Sequence, residues 1–253
     1  MKKYELIKES KTTFIGRDIF RIIALKDFSD VKAGDVGGWV CSESNLSQEG
    51  ECWIYNEAKC LDKAKMFDDA KMYANAMMID NSRMYDNSKM FNKAKMFDNA
   101  EMCGNATMYD SSIMYDNSKM FNNSKMYDNA VMYDNAVMFN DSKMFGNSKM
   151  YNNAKMFDYA ILDKDKILYG SINKSYKKIF QCHCEKKLIT AILTEVNEIL
   201  YSIGCQVGIT KEKFIDRIYN DCKVKGNGLK EYPYRQEYLD MIDIAENYLK
   251  KFI

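Results

Sequence analysis

Between Cys52 and Leu162 apolar and polar positions recur with a period of six, nineteen times, without an insertion or a deletion. The unit is a small residue, Lys, Met, an aromatic, Asp or Asn, then Asn, as in AKMFDN from Ala94, SKMYDN from Ser124 and AVMYDN from Ala130. Every sixth residue from Met66 to Met156 is Met, sixteen in all, and Ile54, Cys60 and Leu162 extend the column. Two places before each stands a small residue: Cys52, then eleven Ala and seven Ser. A period of six is a multiple of two and a poor fit to 3.6, so each unit predicts a short strand and a turn rather than helix. In a strand the small residue and the Met share one face, and the Lys and the ring share the other. Inward Lys would need a counter-charge in every unit, which the chain does not offer, so Met with Ala or Ser points in. Asp or Asn followed by Asn suits a corner, because both tolerate the left-handed conformation.

One unit cannot stand alone. Burying a Met is worth about 1.5 to 3 kcal/mol, whereas fixing six backbones costs roughly 6 to 12 kcal/mol. The units must therefore stack, three to a coil, each coil hydrogen-bonding the next. Nineteen units predict about six coils, a prism roughly 30 Å tall at ~4.8 Å per strand.

The hexad, with an inward aliphatic and a small residue two places before it, resembles the hexapeptide-repeat, left-handed parallel β-helix family. The left hand is what the resemblance implies, since the general rule for parallel crossovers favours the right. Met in place of Ile, Leu or Val, and the aromatic that follows it, depart from the family pattern. The expected fold is mainly β: a left-handed parallel β-helix over 51–170, an N-terminal β cap over 1–50 and a small C-terminal α+β module over 171–253. The cap is expected because an open end of a β-helix is an unpaired sheet edge. The lead-in from Lys26 to Asp35, then Gly37-Gly38-Trp39-Val40 and Asn45 to Tyr55, resembles a bacterial and prophage group of hexapeptide proteins. Members of that group are often labelled acyltransferases or left uncharacterised.

After Leu162 the repeat decays. Lys187–Thr194 and Glu198–Ile203 read as strands joined by a turn at Val196-Asn197, and Thr210 reads as the N-cap of a helix carrying Phe214, Ile215 and Ile218. Beyond Gly226, Gly228 and Pro233, the stripe Tyr238, Met241, Ile242, Ala245, Tyr248, Leu249 and Phe252 predicts a longer amphipathic helix. This module is expected to cap the far end of the prism or to mediate self-association through the last helix.

Composition adds little that is specific. At 253 residues, 47% hydrophobic and net charge +1, the chain has ample core and no bulk attraction for nucleic acid. MKKYELIKES carries charge where a signal peptide needs an apolar run, and no stretch reaches membrane-helix length. The eight Cys form no short secreted framework. A cytoplasmic protein with reduced thiols and no membrane contact is expected.

Four chemistries compete. The resemblance implies acyl transfer from acyl-CoA by a His base and a loop inserted between coils, yet Cys52–Leu162 holds neither His nor insertion, and the single His183 lies beyond it. Cys182-His183-Cys184, with Cys205 and Cys222, invites a metal reading, but the C-x-x-C knuckle is absent and packing is preferred. Lys71, Lys89, Lys125 and Lys143 beside Tyr73, Phe91, Tyr109, Tyr127 and Phe145 could grip a single nucleic-acid strand. Thirteen Lys and Arg against fourteen Asp and Glu in the repeats oppose that reading. The fourth is protein binding without catalysis, cofactor or metal, and it is the expected function. The prophage resemblance points to a host protein as target, for example an antiviral defence complex blocked by docking.

The docking surface is expected where the outward Lys column fails. With three units per coil, Met77, Lys95, Ile113, Val131 and Lys149 share one face beside Phe97, Tyr115, Tyr133 and Tyr151. Phe97, Ile113, Tyr115, Val131, Tyr133 and Tyr151 thus form an apolar strip with its charges at the ends, the composition of an interface core. The alternatives are a homodimer through this face and a terminal segment folded back over it.

Overall fold

The computed structural model describes residues 2–163, 167–168, 171–172, 176–184, 187–194, 196–203, 206–220 and 235–253. Each hexad contributes one two-residue strand, its Lys and Met positions, and the corner between hexads turns through Asp or Asn with φ of 53° to 62°, or through Ala74, Gly104 and Gly146 at 57°, 67° and 69°. Twenty-one such strands run from β4 (Trp53–Ile54) to β24 (Ser171–Ile172). They stack in parallel into the three sheets of a prism, every third strand falling in the same sheet. This is the parallel β-helix implied by the resemblance to hexapeptide-repeat proteins. It has seven turns rather than about six: Ile167–Leu168 and Ser171–Ile172 pair with Lys149–Met150 and Lys155–Met156 after the hexad has lost its Met, Asp and Asn. A strand needs only an inward apolar residue and a ladder partner, and Leu168 is fully buried.

The core is the expected one. All sixteen Met of the column and every small residue two places before them are buried. Register is strict, Met over Met, as in Met84, Met102, Met120 and Met138. Ser82, Ser88 and Ser112 hand their hydroxyl protons to the carbonyl three residues back, at 2.8, 2.8 and 2.7 Å, whereas the Ser118, Ser124, Ser142 and Ser148 hydroxyls are buried without a partner among the described residues.

Of the first three strands, β2 (Arg17–Ala24) pairs antiparallel with both β1 (Tyr4–Phe14) and β3 (Val36–Val40), and β3 then pairs in parallel with Lys59–Cys60. One sheet of the prism is thereby extended, and we call it the hairpin face. Gly37 and Gly38 are needed because a Cβ on either would lie within 2.8 Å of coil atoms of Ile54 or Ala58. Trp53 is buried edge-on to Tyr4 and Phe28. Asn45 ties the lead-in to the second coil through the carbonyls of Asp62 and Ala64, at 3.0 and 2.9 Å. The open end itself is closed by Lys3, 1% exposed, whose ammonium reaches the carbonyls of Glu49, Gly50 and Cys52 at 3.1 to 3.2 Å. Burial lowers the pKa of Lys3, opposed by the neighbouring Cys52. The lead-in motif is thus the fitting between cap and prism.

At the other end, β25 (Tyr176–Cys184), β26 (Lys187–Thr194), β27 (Ile199–Ile203) and β28 (Gln206–Ile209) form an antiparallel sheet. Alternation along it separates two cores. Ile192 and Leu200 join the prism core, while Ile189, Ala191, Leu193 and Tyr201 pack under Phe214 of α1 (Lys211–Asn220) and Tyr238, Ile242, Ala245 and Leu249 of α2 (Arg235–Leu249). The turn at Val196-Asn197 is present, with Asn197 at φ 63°, and Thr210 Oγ1 accepts the Lys213 N–H at 3.5 Å. Among the described residues no helix is long and apolar enough to cross a membrane.

Because Met120 lies between Met102 and Met138 with no exposure, Met120→Gln buries an unpaired amide and is expected to cost several kcal/mol, about 2 to 4. Met120→Leu keeps volume and polarity and is expected to cost under about 1.5 kcal/mol. Denaturant titration of the two variants checks the contrast, and equal stability would place Met120 outside the core.

Candidate functional site

On the hairpin face the outward column runs Lys59, Met77, Lys95, Ile113, Val131, Lys149, Ile167 in direct register. The ring column beside it begins with two aliphatic residues, Leu61 and Ile79. The cap explains them: Ile19 and Phe14 of the β1–β2 hairpin pack on Leu61, Ile79 and Met77, and Phe97 closes that cluster. Arg17 pairs with Asp62 beside it, and Lys59 Nζ lies 5.1 Å from the Phe14 ring centroid. The N-terminal segment therefore folds over the start of this face. Phe97 is the residue of that cluster furthest along the column.

Beyond the hairpin the column is aromatic. Phe97, Tyr115, Tyr133 and Tyr151 stack with centroids 5.0, 5.2 and 4.8 Å apart and planes within 10° of parallel. Ile113 and Val131 touch across adjacent coils, and Val131 is only 9% exposed although it points outward. The six residues of the predicted strip are thus brought together by the register. The rings and Ile113 are half-buried, so they form a smooth, rigid, self-packed surface. Burial pushes the Tyr133 hydroxyl pKa up, with smaller effects from Tyr151 and Tyr115.

A second face, built on the sheet from Trp53–Ile54 to Ile161–Leu162, carries the Lys and rings considered for nucleic acid. Tyr55, Tyr73, Phe91, Tyr109 and Tyr127 stack at 4.5 to 5.0 Å with planes within 9°. Tyr73, Phe91 and Tyr109 carry a ring on both faces, so a base would meet only their edges, which opposes the stacking platform that single-strand binding requires. Lys71 is committed to Asp30 of the lead-in at 2.8 Å. Between the rings and a column of corner amides runs a groove of about 740 Å³ lined by Lys89, Thr107, Lys125 and Lys143, with Asn105 and Asn123 on one wall. The amides bond up the column, Asn105 to Asn123 at 3.0 Å and Asn123 to Asp141 at 3.2 Å. Thr107 was visible in the sequence as a gap in the Lys column, and Tyr159 as a ring where the corner Asn belongs. Neither could be read as part of a groove until the coil register put both in its lining.

The Cys-His-Cys run falls at the end of β25, where Cys182, His183 and Cys184 pair with Ile189, Leu188 and Lys187. Cys205 and Cys222 lie outside the described residues. Among the described residues no group of three His, Cys, Asp or Glu is placed to hold a metal ion. Cys41, Cys52, Cys60 and Cys103 are free thiols, and burial raises the pKa of each. None is therefore poised as a thiolate nucleophile.

No protein-family model matches the chain. It is similar to a protein described as an uncharacterized acetyltransferase, YdcK of Escherichia coli (strain K12), with 42% identity over 64 residues. The alignment covers 22% of this chain and spans a fifth, 20%, of that relative's length.

Tyr133 stands in two ring stacks. At ~0.5 to 1.5 kcal/mol per aromatic pair, Tyr133→Ala is expected to lose about 1 to 3 kcal/mol. Tyr159→Ala, at a ring 72% exposed, is expected to change stability by no more than about 0.5 kcal/mol. Thermal melts of both variants test whether the column is a structural spine.

Proposed function

We propose that the chain is a non-enzymatic scaffold that docks on a partner protein through the strip Phe97, Ile113, Tyr115, Val131, Tyr133 and Tyr151. The observation that supports this is the pairing of Ile113 with Val131 in a column otherwise held by Lys, next to an uninterrupted ring stack. Aliphatic and aromatic side chains already fixed by the coils lose little freedom on binding, so contact area there converts efficiently into affinity. The prophage resemblance of the lead-in points to a host protein as partner, inhibited by being covered, and an antiviral defence complex fits that mode. Free thiols suit a reducing cytoplasm.

Acyl transfer is the second reading, favoured by the similarity to a segment of an acetyltransferase-named protein. Against it stands the uninterrupted run of coils, which supplies neither an imidazole nor a covering loop.

Two measurements separate the readings. Ile113→Lys with Val131→Lys restores the repeat's own residue at both positions, so the melting temperature is expected to hold. Capture of a host protein by the tagged chain is expected to be lost. If capture, light scattering and stability are all unchanged in that double variant, the strip is ordinary surface. Calorimetry with acetyl-CoA is expected to show no saturable signal, and a micromolar signal abolished by His183→Ala would replace the scaffold reading with the enzymatic one.

A further inference from the structure

The third face, on the sheet from Lys65–Met66 to Ser171–Ile172, holds a break in its ring column that the cap does not explain. Of the eighteen residues that follow the inward column from Tyr55 to Phe157, fifteen are aromatic, Leu61 and Ile79 lie under the hairpin, and the remaining one is Cys103. The column there runs Phe67, Tyr85, Cys103, Phe121, Phe139, with the coils in register at each step. Phe67 stacks on Tyr85 at 5.3 Å with planes 7° apart, and Phe121 on Phe139 at 5.1 Å with planes 17° apart. Among the described residues no ring packs on Tyr85 or Phe121 from the side of Cys103. Two coils separate these rings, about 9.6 Å at the strand spacing of a sheet. One ring placed midway restores the spacing of the stacks on the other two faces, 4.5 to 5.2 Å. A thiol on a single carbon reaches only the base of that gap.

The neighbouring positions leave the gap open. Gly104 adds no side chain and lines a corner recess of about 420 Å³. In the outward column Glu101 replaces Lys and pairs with Lys119 at 2.7 Å, so these two side chains hold each other. Arg83 Nη1 lies 3.5 Å from the Tyr85 hydroxyl, and among the described residues the guanidinium makes no ion pair with a carboxylate. Stacking on two rings changes an affinity by about five- to 150-fold. That is the share of one anchoring side chain in a larger interface, and far too little to hold a free ring at micromolar concentration. We infer that the gap at Cys103 is a docking point for an aromatic side chain of a partner protein, inserted between Tyr85 and Phe121 with a neighbouring carboxylate on Arg83. It lies on a different face from the strip and does not depend on it.

Cys103→Tyr writes the repeat's own ring into the gap. It is expected to complete the stack and raise the melting temperature by roughly 2 °C or more; a lower melting temperature shows that a ring does not fit and overturns the proposal. The probe for binding is the blocked tetrapeptide Gly-Trp-Glu-Gly, followed by NMR of the isotope-labelled chain at low salt. Saturable millimolar binding is expected, kept in Cys103→Ala and weakened at least about fivefold both in Cys103→Tyr, which fills the gap, and in Phe121→Leu, which removes one wall. Exchanging the probe's Trp for Leu is expected to weaken it at least about fivefold and its Glu for Lys at least about twofold. Equal binding of the three peptides, or no saturable shift at millimolar peptide, overturns the proposal. Free indole bound as tightly as the tetrapeptide would mark a small-molecule slot and overturn the assignment to a protein partner.

Discussion

Everything in this protein hangs on the ladder of backbone hydrogen bonds between coils. Lys59 N–H reaches the Ala76 carbonyl at 2.9 Å, Lys95 that of Ser112 at 3.0 Å, Tyr133 that of Met150 at 2.9 Å, and the pattern repeats up the prism. Two-residue strands have no stability of their own, so each exists only because coils above and below supply its partners. The Met column beneath the ladder is what makes the coils collapse together. Its unbranched side chains fill a narrow core while the flanking Ala and Ser leave room for them. The corners bond along the same axis in both directions: the N–H of Asp98 donates back to the Asp80 carboxylate at 3.3 Å and that of Asp134 to Asp116 at 3.1 Å, while the Asn99 amide donates forward to Asn117 at 3.2 Å.

A structure this regular turns every irregularity into a position on a map. Leu61 and Ile79 interrupt a ring column and lie under the hairpin. Ile113 and Val131 interrupt a Lys column and meet across two coils. Thr107 and Tyr159 interrupt two further columns and shape one groove. The hairpin covers the first group, and the register brings the members of each of the other two together. Glu101, Val137 and Ile161 depart from the Lys column at other places.

The two ends show what the repeat cannot do for itself. A coil with no neighbour leaves one row of carbonyls and one row of amides open, and both ends are closed by segments of different composition. Lys3 satisfies carbonyls of the first coil from inside the cap, while at the far end a conventional antiparallel sheet lays Ile192 and Leu200 on the core. Only the start of the long faces is covered, by the hairpin on one and by Asp30 at Lys71 on another. This division also explains why the lead-in bears on assembly of the cap.

The sequence by itself determined the coil. A period of six with Met and Ala or Ser in phase allows only one inward face, and Asp or Asn with Asn places the corners, so core, faces and register were legible from Cys52 to Leu162. The last turn was not, because Ile167–Leu168 and Ser171–Ile172 carry no corner signal and are held as strands by the sheets beneath them. The strip was legible as residues, since eighteen-residue stacking is arithmetic once the coil is granted. How far the hairpin overlaps it was not, because that depends on where β1 and β2 turn against the second coil. The groove was invisible as well: Thr107 and Tyr159 lie fifty-two residues apart in the chain and came together only when three coils of tertiary structure stacked between them.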